Sequence, residues 1–315
     1  MDIEHENRVV ALLGPTAVGK TDCSLKLAKR FPFEIVSADS RLFYRGMDIG
    51  TAKPTLRERS QVPHHLIDVS EPTDPWSLER YLKAAHKVIE EIHAKGALAL
   101  LVGGTGQYLT ALLEGWQPPP RPRDDSIRVS LEAFAEKEGA AALHQKLEQV
   151  DPERAAELDP RNIRRVIRAL EIYETTGQPP SAFKKKIEPS YQILRIGLTM
   201  PREELYSRID SRIDKMLADG WIEEVEALLR KGVPAEGSIF SAIGYSQLAS
   251  CLQGECSLDE ALVQIRRITR TFVRRQANWF KLNDPEIHWV NAGPQAAEEA
   301  ALIIKRWMSE GQPGK

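Results

Sequence analysis

One stretch constrains this chain more than any other: Val9–Thr21, VVALLGPTAVGKT. Its apolar run from Val9 to Leu13 reads as a buried strand that stops abruptly at Gly14. The next eight residues, Gly14–Thr21, fit the pattern G-x-x-x-x-G-K-[ST] of a phosphate-binding loop. Gly14 and Gly19 allow backbone angles that other residues resist, so N–H groups along Gly14, Pro15, Thr16, Ala17, Val18 and Gly19 can turn toward phosphate oxygens (Pro15 itself has none to give). Lys20 adds a positive point charge, and the Thr21 hydroxyl suits Mg²⁺. A helix expected over Asp22–Arg30 aims its positive dipole end at the same anion. Strand, loop and helix together predict an α/β protein with a parallel sheet and a polyphosphate site.

Composition agrees with a soluble globular chain. Of 315 residues, 28% are charged and 42% hydrophobic, with a formal net charge of −2. The N-terminal residues are charged and show no secretory signal, and no apolar run nears the roughly 20 residues needed to span a bilayer. Three cysteines, Cys23, Cys251 and Cys256, provide neither a disulfide framework nor a metal-ligand set. The expected location is the cytoplasm, with no membrane partner.

Further along, Phe33–Ala38 predicts a second parallel strand. Asp39 lies just past its carboxyl end, where open α/β sheets bind ligands, which suits a general base or metal ligand. A helix N-cap before Ser40 is the alternative. Arg41–Pro54 reads as an ordered loop. His64–His65 reads as a polar loop pair before a strand, since no Cys or other His stands at ligand spacing. A helix is expected over Asp74–Lys95 and a buried strand over Ala97–Val102. That strand runs into Gly103–Gly104–Thr105–Gly106, where many nucleotide hydrolases carry an aspartate. The missing acid weakens a hydrolase reading, and the second glycine-rich turn either adds N–H groups for the same anion or simply joins strand to helix.

Composition then shifts. Gln117–Arg123 (QPPPRPR) is a proline-rich hinge. Beyond it the pattern is all helical: Ile127–Glu138, Ala140–Val150, Pro152–Leu158 and Asn162–Thr176. An all-helical insertion is expected over 119–192, within an α/β core of 1–118 and 193–315. Arg161, Arg164, Arg165 and Arg168 recur at spacings of three and four, placing them on one helix face. With Lys184–Lys186 they make seven basic residues against three glutamates over 161–190. Such a face is either solvated or a phosphate-backbone footprint. Strand Ile193–Leu198 and helical Arg202–Lys231 follow. The helix expected over Leu258–Leu282 carries Arg266, Arg267, Arg270, Arg274, Arg275 and Lys281, with no acid between Ala261 and Lys281. That imbalance asks for an anion nearby. Trp279 and Phe280 suit the core or base stacking.

Taken together, GPTAVGKT (14–21), SADSRLFYRGMDIGTAKP (37–54), PHHLIDV (63–69) and LVGGTGQYLTALL (101–113) resemble the bacterial tRNA dimethylallyltransferases. So do PRNIRRVIRALEIYETTG (160–177), LYSRIDSRIDKMLADGWIEEV (205–225), AIGYSQL (242–248) and RRITRTFVRRQANWF (266–280). The resemblance covers nearly the whole chain in order. It implies transfer of a dimethylallyl group from dimethylallyl diphosphate to N6 of the adenine at tRNA position 37. The phosphate loop would hold the diphosphate with Mg²⁺, Thr21 being the metal contact. Asp39 would accept the N6 proton, with Thr16 and Thr105 at the junction of diphosphate and base. Residues Asp39, Ser40, Arg41 and Leu42 would contact the flipped base and its neighbours. Arg128, Arg161, Arg164, Arg165 and Arg168 would face the tRNA. A monomer meets all these needs.

Some residues depart from the family pattern. Ser246 follows Gly244–Tyr245 where a basic residue is usual, and Gln107 follows GGTG where an apolar one is usual. The zinc finger of eukaryotic relatives is missing, so the insertion and the basic helix are expected to grip the tRNA. A small-molecule kinase using ATP would explain Lys20 and Thr21 but gives the arginine-rich insertion no role. A relative prenylating free adenine nucleotides would not need that face either, and a non-enzymatic RNA-binding protein would not need Lys20, Thr21 and Asp39 together.

Overall fold

The computed structural model describes residues 7–119, 126–183 and 186–310. The chain forms two compact units. One takes in the chain as far as Trp76, Leu82–Leu113, and everything from Ser190 onward; the other takes in Ser77–Tyr81 and Glu114–Pro189. The helical unit thus starts and ends a few residues before the 119–192 span read from composition.

The first unit is built on a six-stranded parallel sheet in the order β3-β2-β4-β1-β5-β6. Its strands are β1 (Arg8–Leu13), β2 (Phe33–Ser37), β3 (His64–His65), β4 (Leu98–Val102), β5 (Gln192–Thr199) and β6 (Ile287–Asn291). All six residues of β1 are buried, which accounts for an unbroken apolar run where an exposed-face strand would alternate. Only Arg8 is polar there; its guanidinium reaches the Met308 carbonyl at 2.9 Å and lies over the Trp307 ring. The His64–His65 pair corrects the loop reading: it is itself the edge strand, pairing with Ile35 and Val36, and His65 bonds Glu34 at 2.6 Å. No group of three His, Cys, Asp or Glu suited to a metal occurs among the described residues.

Helices α1 (Lys20–Ala28), α2 (Leu56–Arg59), α3 (Leu78–Ala94) and α4 (Gly106–Leu113) join the early strands. Helices α5 (Ser126–Val150), α6 (Pro152–Glu157) and α7 (Ile163–Thr176) belong to the second unit. Gly139 breaks α5 at φ 87°, matching the two helices expected on either side of it. The core of this unit gathers Leu143 and Leu147 from α5 with Val166, Ile167 and Leu170 from α7. Asp151 caps α6 through the Arg154 N–H and also accepts from the Ser181 N–H, so a buried carboxylate has its partners. Parts of the proline hinge (Pro120–Arg123) and two residues of the basic cluster (Lys184, Lys185) lie outside the described residues.

After β5 the first unit resumes with α8 (Arg202–Ala218), α9 (Trp221–Arg230), α10 (Tyr245–Leu252), α11 (Leu258–Trp279) and α12 (Ala296–Glu310). The long helix or pair expected over 202–231 is a pair, divided at Gly220, φ 99°. A Ser257–Glu260 capping box starts α11. The charge imbalance of α11 is resolved from a neighbour: Asp210 and Asp214 on α8 pair with Arg266, and Asp210 also takes Arg270 at 2.5 Å. An external anion is therefore not needed for those two arginines. No described helix is long and apolar enough to cross a membrane.

Candidate active site

The loop after β1 has φ of 142° at Gly14, 64° at Ala17 and 106° at Gly19. A side chain at Gly14 would strike the Leu198 carbonyl of β5, so the glycine admits close packing as well as the turn. Helix α1 starts at Lys20, two residues earlier than expected, so Lys20 and Thr21 form its first turn. Lys20 folds back and its ammonium donates to the Gly14 and Pro15 carbonyls at 2.8 and 2.7 Å. Burial lowers its pKa to about 8; Asp39 opposes the shift and Arg212 adds to it.

Asp39 follows β2 by two residues. No helix begins there, which removes the N-cap alternative. Its carboxylate accepts the Arg41 N–H at 3.0 Å in a local turn, while the Thr105 hydroxyl accepts the Ser40 N–H at 3.2 Å. Thr105 thereby ties the turn after β4 to the turn after β2. The Arg41 guanidinium donates to the Ser238 carbonyl and the Ser241 hydroxyl.

These turns open on a cleft of about 730 Å³ at the carboxyl ends of the strands. Thr16, Ala17, Asp39, Ser40, Arg41 and Thr105 all line it. Leu42 does not; it is partly covered and its carbonyl accepts the Asp68 N–H. Ile209, Ile213 and Met216 of α8, with Ala242 and Ile243, form an apolar wall. Gln107 lies on the rim.

Sequence reasoning missed three residues here. Arg212 on α8 reaches the Thr16 hydroxyl at 3.5 Å; burial lowers its pKa and Asp39 opposes the shift. Gln276 on α11 accepts the Thr16 N–H at 2.9 Å and donates to the Gly104 carbonyl at 2.8 Å. The Thr16 amide is thus committed to protein and not turned to a ligand, a correction to the expected cradle. Glu224 on α9 accepts the Asp48, Ile49 and Gly50 N–H groups and the Tyr245 hydroxyl, holding the loop that supplies Gly50–Ala52 to the cleft. The family-like stretches 205–225 and 266–280 contain all three without marking their partners, and the basic run on α11 pointed to this helix. Arg267 and Arg275 from that run do line the cleft, as does Trp279, 43% exposed, whereas Phe280 is buried.

The arginines of the helical unit divide. Arg161 precedes α7 and pairs with Asp159, so it does not share the helix face expected of it. Arg128 and Arg168 both turn to Glu171, which is 3% exposed; Arg128 Nε lies 2.7 Å from its carboxylate. Their first task is to satisfy that buried charge. Arg164 and Arg165 are exposed.

A family model described as IPP transferase matches residues 42–283. The chain belongs to that family. Among its relatives, a tRNA dimethylallyltransferase of Thermomicrobium roseum is 51% identical over 273 residues, 87% of this chain and 83% of the relative. One from Roseiflexus sp. (strain RS-1) is 46% identical over 301 residues, 95% of this chain and 98% of the relative. The tRNA isopentenylpyrophosphate transferase of Bacillus halodurans superposes with a TM-score of 0.72 at 40% identity, covering 97% of this chain and 98% of that one. A eukaryotic dimethylallyltransferase acting on tRNA gives 0.81 at 26% identity, covering 98% and 81%.

Proposed function

We propose that this protein moves a dimethylallyl group from dimethylallyl diphosphate to N6 of the adenine at position 37, next to the anticodon, in tRNAs reading codons that begin with U. The observation that carries the reading is that Asp39 and Arg212 line one cleft with an apolar wall while the buried Lys20 ammonium of the loop lies close enough to both to feel their charges. N6 attacks C1 of the dimethylallyl group and the C1–O bond breaks, its electron pair leaving with diphosphate. The N6 proton passes to the Asp39 carboxylate, because an aromatic amine is a weak nucleophile unless a base relieves it. Lys20, Arg212 and the remaining loop amides meet the charge that grows on the leaving oxygens. Ile209, Ile213 and Met216 suit the prenyl chain and keep water from the reacting carbon.

Mg²⁺ fits this site as a hydroxyl-and-phosphate-bound ion. Thr21 stands in the first turn of α1 beside the loop, where its hydroxyl would meet an ion held mainly by substrate oxygens and water. When bound it would screen the diphosphate charge. The target base must leave its stack to enter a cleft, as for other enzymes acting on stacked bases. Thr105, Ser40 and Arg41 would meet it, with Arg267, Arg275 and Trp279 at the mouth. Arg161, Arg164 and Arg165 of the helical unit would take backbone phosphates. The enzyme would act as a cytoplasmic monomer.

The test is transfer of label from dimethylallyl diphosphate, with Mg²⁺, to unmodified tRNA, beside free AMP and a tRNA with the target adenine replaced. Label in the unmodified tRNA alone supports the reading. Label in AMP would make the enzyme a free-nucleotide prenyltransferase, and no label in any acceptor would reopen the kinase reading.

A further inference from the structure

On its outer flank the phosphate loop borders a second cavity, of about 370 Å³. Val18 and Gly19 form one wall, Ala292 and Pro294 beyond β6 another, and Arg208 stands over it. Nothing in the reaction described above uses Arg208. It lies one helical turn from Arg212 on α8, so both guanidinium groups leave the same face of the helix. Arg212 reaches Thr16 near the start of the loop. Arg208 reaches its end: Nη1 lies 4.0 Å from where a Cβ on Gly19 would stand. The two arginines therefore bracket the loop. Asp210 and Asp214 anchor α8 to α11 through Arg266 and Arg270, which fixes the helix that presents them.

Among the described residues Arg208 pairs with Glu204, four residues away on the exposed face at 3.1 Å. Exposed pairs of this kind hold weakly, whereas a guanidinium on phosphate oxygens makes charge-assisted, bidentate bonds. Exchange of Glu204 for a phosphate is therefore favourable. We propose that Arg208 is a diphosphate-binding residue, leaving Glu204 to close on the loop-bound diphosphate from the outer flank while Arg212 holds it from the cleft and Lys20 from within the loop. The proposal rests on the reading that this loop binds diphosphate.

Calorimetric titration of the full chain with inorganic diphosphate and Mg²⁺ tests both. Arg208→Ala should weaken binding about tenfold, since one charge-assisted contact is lost, and Arg208→Lys should fall between it and the parent. Glu204→Gln, which frees the guanidinium, should tighten binding roughly two- to threefold, in line with the weakness of an exposed pair. If the pair is only structural, Arg208→Ala and Glu204→Gln will lower the melting temperature alike and leave diphosphate affinity unchanged, overturning the proposal. Lys20→Ala separates the two ideas. Should it abolish binding while Arg208→Ala does not weaken it, the loop reading stands and the role of Arg208 falls. Diphosphate that fails to bind the parent protein overturns both.

Discussion

Gln276 accepts the Thr16 N–H at 2.9 Å across 260 residues of sequence, and its amide nitrogen donates to the Gly104 carbonyl. One side chain, 4% exposed, thereby fixes the spacing of two glycine-rich turns. Gln276→Leu leaves the buried Gly104 carbonyl unpaired, at about 1–3 kcal/mol, and the partly buried Thr16 N–H without its partner. The expected result is a lower urea midpoint together with reduced kcat/KM. Unchanged stability would mean the turns hold their spacing without it.

Asp39→Asn keeps an oxygen for the Arg41 N–H but removes the proton acceptor. General-base catalysis contributes typically 10²–10⁴-fold, so kcat should fall by that order while tRNA affinity stays within about twofold, the contact being spared. Filter binding and single-turnover transfer read the two quantities separately. Near-normal turnover would remove Asp39 as the base.

Lys20 titrates at about 8 in the folded protein against an ordinary 10.5. Between those values the unfolded chain holds more protons than the folded one, so stability should rise with pH across that window. Lys20→Met should abolish this rise in urea midpoints measured from pH 7.5 to 10, in the window about 8–10.5 set by the shift. Diphosphate affinity runs the other way, falling above about pH 8 as the ammonium is lost.

Arg164→Ala with Arg165→Ala should weaken tRNA binding and flatten the plot of log affinity against log salt by about one and a half units, as for two lost phosphate contacts. Arg128→Ala should act on stability instead, because it strips Glu171 of its 2.7 Å partner; thermal melts should show a loss of about 1–3 kcal/mol. An unchanged salt slope in the double variant would mark that face as merely solvated.

Glu224→Ala removes the acceptor shared by three loop amides and the Tyr245 hydroxyl. Because Gly50–Ala52 line the cleft, the expected outcome is a several-fold rise in KM beside a lower melting temperature, with Glu224→Gln closer to the parent. A variant that melts lower at unaltered KM would confine Glu224 to a structural role.

Local signals were legible. The run Val9–Thr21 specifies strand, loop and helix through its own torsional and polar demands, and Gly139 and Gly177 break or end helices on their own. What stayed hidden lay in pairings distant in sequence. Arg266 and Arg270 read as uncompensated because Asp210 and Asp214 sit on another helix. Gln276, Arg212 and Glu224 fall inside the family-like stretches 205–225 and 266–280, but those stretches do not say what each side chain meets; that comes only from what α11, α8 and α9 set them against. His64–His65 gave no strand signal because two polar residues at a sheet edge have neither alternation nor length. Arg128 and Arg168 looked like free cations because burial of Glu171 cannot be read from its neighbours.

The register Arg8↔Gln192 joins β1 to β5 across the whole helical unit. Translation at roughly 5–20 residues per second therefore leaves on the order of ten seconds or more between the emergence of these two neighbours. Throughout that interval a strand destined to be wholly buried offers an open, apolar hydrogen-bonding edge. The helical unit, whose contacts close between sequence neighbours, can fold first. The nascent chain is thus most exposed to misassembly and most in need of chaperone shelter while its ligand loop is already synthesised but has no wall of β5 to lean on.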